Sequence, residues 1–130
     1  MKRRLAAAML AVLLFFGLSS AGALAHANLT HATIRNNQVF RVGHAPTVIN
    51  GYFAENLNPD PQQTWMAVFE GVGDHGLVTE HQVSTVNFRN PKEMILRLPR
   101  LGKEKYYLIW HTKSAVDGHI AAGILYFQVR

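Results

Sequence analysis

The sequence predicts an all-β, immunoglobulin-like antiparallel β-sandwich of about seven strands, preceded by an export signal. Three observations carry that expectation. Short runs of β-branched and aromatic residues alternate with Gly, Asn and Pro clusters across residues 26–130. Many of these runs alternate apolar and polar side chains, the period of a half-buried strand. Beyond residue 25 no long stretch keeps a helical period.

The first 25 residues are read as targeting, not fold. Met1-Lys2-Arg3-Arg4 is a basic start, Leu5 to Leu18 is a 14-residue apolar run, and small residues follow up to Ala23-Leu24-Ala25. A transmembrane helix needs about 20 apolar residues, so this run is too short to span comfortably. The residues around Arg3-Arg4 fit general secretion better than twin-arginine export. Cleavage after Ala25 makes His26 the first mature residue. Ala21-Gly22-Ala23 also meets the small-x-small rule, and a cut after Ala23 would leave Leu24-Ala25 in front of His26.

Removing residues 1–25 leaves 105, which suits one domain with one core. Three of the 13 Lys and Arg fall in the signal, so the remainder carries +2 against 8 Asp and Glu, with His neutral. That near balance excludes the basic footprint of a nucleic-acid binder. There is no cysteine, although an exported protein could form disulfides. The core must hold by packing, and any metal site must do without thiolate.

Along the chain, Leu29 to Ile34 reads as a first strand ended by Asn36-Asn37, and Gln38 to Val42 as a short second one. Thr47 to Phe53 is a strand with a bulge expected at Gly51. Asn56 to Pro61 is a loop by its Asn and Pro content. Thr64 to Glu70 sets Trp65, Ala67 and Phe69 against Met66 and Val68. After the turn Gly71 to Gly76, Leu77 to Val86 returns. Glu93 to Leu98 points Met94, Leu96 and Leu98 inward, with Glu93, Ile95 and Arg97 outward. Tyr106 to Thr112 is the strongest strand, and Ile120 to Arg130 closes the fold. Around the connection between the runs 93–98 and 106–112, Arg97, Arg100, Lys103 and Lys105 read as a solvated basic edge that discourages strand pairing.

Chemistry concentrates at the two ends of the mature chain. An N-terminal histidine brings both an α-amine and an imidazole to one metal ion. The amine has a reference pKa of about 7.7–8.0, so a metal displaces its proton cheaply near neutral pH. In Asp117-Gly118-His119, an extended backbone would turn both functional side chains to one side. Two imidazoles, an amine and a carboxylate suit Cu(II), whereas only Met66 and Met94 offer mature thioethers for Cu(I). Taken alone, Asp-Gly-His is equally the sequence of a hairpin turn. His31, His44, His75 and His81 read as surface or packing residues, and His111, on the strand leading to the site loop, as a structural residue, with an approach to the metal or a hydrogen bond to a ligand as the alternative.

The same residues carry a family resemblance. His26-Ala27, Phe53-Ala54-Glu55-Asn56, Tyr106-Tyr107-Leu108-Ile109-Trp110, Ser114 to His119 and Gly123 to Val129 resemble the conserved stretches of the CopC family of periplasmic copper-binding proteins. The resemblance spans residues 26–130. It implies a β-sandwich that binds one Cu(II) per chain through His26, Asp117 and His119, with Glu55 near the metal. It also implies a periplasmic location, a role in copper resistance or homeostasis, no enzymatic activity, and a separate inner-membrane partner of the CopD type. The chain departs from the family pattern by one extra loop residue, Val116, and by lacking a methionine-rich segment. Two other readings compete. One is a monooxygenase with an N-terminal histidine brace, which the Asp ligand disfavours because it fills a position oxygen chemistry needs open. The other is a metal-free immunoglobulin-like interaction module.

Overall fold

The computed structural model describes residues 27–71 and 81–130, so the expected signal, His26 and the turn around His75 lie outside the described residues. Within them the chain forms eight strands: β1 (Leu29–Ala32), β2 (Gln38–Phe40), β3 (Val48–Phe53), β4 (Trp65–Glu70), β5 (Val83–Val86), β6 (Glu93–Arg97), β7 (Glu104–Lys113) and β8 (Ile120–Val129). They make two four-stranded sheets, ordered β1-β3-β6-β5 and β2-β8-β7-β4. The β-sandwich class is as the sequence predicts. Its pairing is not purely antiparallel, because the three-residue β2 runs parallel to the end of β8.

Period-two alternation decides which faces meet. Ile49, Met94 and Leu96 from one sheet and Val68, Leu108 and Val129 from the other are fully or almost fully buried between them. Side chains of this size each stabilise the fold by about 1.5–3 kcal/mol when fully buried. Tyr106 joins this core and donates its hydroxyl to the Gly102 carbonyl at 2.8 Å. This is the tyrosine corner seen in immunoglobulin-like sandwiches. Burial, and then the nearby Glu70 and Glu104 carboxylates, raise the Tyr106 pKa above its ordinary value, so the phenol stays a donor.

Two local expectations are corrected. The irregular register lies in β1, between Leu29 and His31, and not at Gly51, which pairs regularly with Met94. Gly51 is instead a site of close approach: a Cβ there would sit 3.0 Å from the Met66 sulfur and 3.2 Å from Leu29 and Phe53. Glu93 does face outward, yet it is buried, because Asn50 and Asn87 close over its carboxylate.

The outer edge of β4 is capped by side chains. Gln82 accepts from the Val68 N–H at 2.7 Å and donates to the Val68 carbonyl at 2.9 Å, while Ser84 accepts from the Met66 N–H. Such capping blocks the edge-to-edge pairing that an exposed strand invites.

Candidate metal centre

The site region lies where β7 turns into β8. These two strands pair over ten residues, from Glu104 with Val129 to Lys113 with Ile120. The length of that ladder holds both ends of the connecting loop. Midway, Trp110 faces Gly123 across the ladder, and a Cβ at Gly123 would fall 2.0–2.6 Å from the indole ring. Only glycine lets the ring lie over β8.

Beyond Trp110 on the same face, Thr112 is fully buried and donates its hydroxyl to the Ala27 carbonyl at 2.7 Å. Ala27 is itself fully buried. The residue after His26 is thus fixed to the end of strand β7. From there the Ala54 N–H donates to Asn28, the Ala115 N–H to Asn56, and the Asn58 N–H to Lys113. Three segments distant in sequence, 27–28, 54–58 and 112–115, are thereby tied into one end of the sandwich.

The loop itself is a turn and not the extended segment that the spacing suggested. Residues 115–117 are in turn conformation and Gly118 has φ of +74°, a left-handed value that side chains disfavour. Asp117 and His119 nevertheless meet. Asp117 Oδ1 accepts from the His119 backbone N–H at 2.9 Å, and Oδ2 lies 2.9 Å from His119 Nδ1. The His119 backbone N–H first, then its ring and Ser114, hold the Asp117 pKa below the ordinary carboxylate value, although desolvation works against them. An ionised carboxylate only accepts, so Nδ1–H is the donor in this contact and Nε2 is the ring nitrogen that faces away from Asp117. A carboxylate that fixes the ring tautomer in this way is the usual support of a metal-binding histidine. The contact sets the carboxylate on the Nδ1 side of the ring, so for one ion to take both His119 Nε2 and Asp117 the Oδ2–Nδ1 contact must open.

Both groups are accessible, with side-chain exposures of 61 % for His119 and 24 % for Asp117. Among the described residues no cluster of three or more His, Asp or Glu side chains is arranged to hold a metal. Asp117 and His119 are two of the three expected ligands, and the third, His26, lies outside the described residues. The available donors are nitrogen and oxygen, since Met66 and Met94 are buried in the core.

Glu55 reaches the loop through Ser114, whose hydroxyl donates to its carboxylate at 2.5 Å. His111 does not reach it. It occupies the opposite face of β7 from Thr112, stacks on Trp65 with centroids 5.7 Å apart, and bonds through Nδ1 to the Gln63 carbonyl at 2.8 Å. His31 stacks on Tyr52 at 4.4 Å, on the other sheet. Sequence reasoning missed Ser114 and Thr112. Their hydroxyls are used in long-range contacts that no local pattern announces, although a Ser three residues before an Asp is a recognisable turn signal.

No protein-family model and no curated protein matches the chain. Solved structures do. CopC from Methylosinus trichosporium OB3b is 22% identical, with a TM-score of 0.65 over 80% of this chain and 93% of that one. PcoC, a methionine-rich copper resistance protein from Escherichia coli, is 22% identical with a TM-score of 0.64, covering 82% of this chain and 100% of its own. Selenomethionine PcoC from the same organism gives 20% identity and a TM-score of 0.62 over 79% and 99%. The chain is an all-β sandwich of the kind that copper resistance proteins adopt. Its particular fold is that shared by CopC and PcoC.

Proposed function

We propose that the chain is a CopC-type periplasmic protein that sequesters or carries one Cu(II) per molecule in copper resistance or homeostasis. In this reading residues 1–25 are removed on export. Copper then binds the His26 amine and imidazole together with Asp117 and His119. A separate membrane copper transporter of the CopD type is the exchange partner. Copper is cargo here, and no catalytic step is assigned.

One observation carries the reading. The Asp117–His119 pair sits in the loop at the end of β7 where Thr112 holds Ala27, one residue from His26. The donor chemistry agrees, because nitrogen and oxygen ligands without thiolate favour Cu(II). The fold likeness to PcoC, itself a copper resistance protein, adds support.

Native mass spectrometry of the protein recovered after export in copper tests both halves of the proposal. The expected species begins at His26 and holds one copper ion. A chain beginning at Leu24, or a His26 form that stays metal-free, overturns the chelate. Asp117→Asn and His119→Ala are each expected to weaken Cu(II) binding by more than about a hundredfold, beyond the 10- to 100-fold typical of groups that only support a ligand.

A further inference from the structure

We propose that Ser114 is the positioning residue of this site, and that Glu55 anchors it. The inference rests on the copper-binding reading above and assigns what holds the ligand loop in shape.

Ser114 is 2 % exposed, although the five residues after it, 115–119, are all exposed. Its hydroxyl donates to Glu55 Oε2 and accepts from the Val116 N–H at 3.0 Å and the Asp117 N–H at 3.3 Å. Its backbone N–H donates to the His119 carbonyl at 2.9 Å, and its carbonyl accepts from the Gly118 N–H at 3.1 Å. One buried residue therefore bonds to four of the five loop residues, including both expected ligands. The hydroxyl has one proton, and Glu55 takes it. Its oxygen is then directed at the two amides.

Glu55 in turn is fixed from both sides. Ala54 bonds to Asn28, next to Ala27, and Leu57 forms an isolated bridge with Ser114. The carboxylate thus connects the segment that carries the N-terminus to the loop that carries Asp117 and His119. A ligand set drawn from two distant segments needs such a brace, because support behind metal ligands typically accounts for about 10- to 100-fold in affinity.

The test uses the exported protein, with Cu(II) alone as probe, a competing chelator to measure affinity, and electron paramagnetic resonance to read the ligand field. Ser114→Ala is expected to lower affinity about tenfold, alter the Cu(II) spectrum, and speed hydrogen exchange at the Val116 and Asp117 amides. Glu55→Gln keeps an acceptor for the hydroxyl and should retain the native spectrum, whereas Glu55→Leu should change it as Ser114→Ala does. The Glu55 pair decides the matter if Ser114→Ala fails to fold. Native affinity and spectrum in Ser114→Ala or Glu55→Leu would overturn the assignment of Ser114. The ligand variants separate this failure from a larger one. If Asp117→Asn and His119→Ala also bind copper as the unmodified protein does, the copper reading falls, and the role of Ser114 with it.

Discussion

Glu93 and Asp117 are both hydrogen-bonded carboxylates with pKa values below the ordinary range, and they serve opposite ends. Glu93 lies on the outer face of β6, buried under the amides of Asn87 and Asn50 at 2.7 and 2.6 Å. Its pKa is lowered chiefly by the Asn87 hydrogen bond, against the effect of burial. Both its oxygens accept from neutral amides, and the Tyr52 hydroxyl adds a weaker contribution. Asp117 stands in an exposed loop and bonds to a histidine that is more than half exposed. A carboxylate closed over by amides is structure. One that bonds an accessible imidazole leaves that pair open to a ligand.

Four measurements would sharpen or break that contrast. In the copper reading the largest effect is expected for Asp117→Asn, which should weaken copper binding by more than about a hundredfold with an unchanged melting temperature. A parallel fall in melting temperature would make Asp117 a second Glu93. Next, Glu93→Leu should cost about 2–3 kcal/mol, since two half-buried amides lose a charged acceptor. In a domain of this size that lowers Tm by roughly 10–20 °C. Copper affinity should stay as it was, and its loss would erase the division between the two carboxylates.

Third, acid should act on Glu93 through the fold. Its folded pKa lies below the reference value of 4.5, so its stabilisation is complete above that pH and disappears as pH falls through the folded value. Glu93→Gln should flatten the fall in Tm below pH 4.5, and an unchanged acid profile would remove Glu93 as its source. The smallest effect belongs to Asn50→Ala, which deletes one of the two amide bonds and should cost about 1 kcal/mol in chemical denaturation. No measurable loss there would leave Asn87 as the only amide that matters.

The comparison also marks what the sequence could disclose. Strands β6, β7 and β8 were legible because apolar residues alternate over five to ten positions, and a burial period of two has one simple solution. The parallel seat of β2 was not, because three residues carry no preference for direction and topology decides it. Gly51 looked like a bulge, but glycine marks close approach as readily as irregular pairing. The face of Glu93 was legible but its burial was not, since that comes from asparagines six and 43 residues away.

At the candidate site, the meeting of Asp117 and His119 was legible from their spacing. The geometry that joins them was not, because a left-handed Gly118 replaces the extended segment. The brace of Ser114 and Glu55 spans 59 residues and leaves no local trace beyond a serine ahead of a turn.

The bond from Thr112 to Ala27 closes a loop of 85 residues, nearly the whole described chain. Bringing such distant segments together carries a closure entropy that local contacts do not, and such contacts slow folding. In the copper reading, the N-terminal ligand joins the other two only once this contact has formed. Uptake of the metal then becomes a report on completed folding. A newly exported chain still arranging its strands would have the loop before it had the site, and would leave copper to the molecules that had finished.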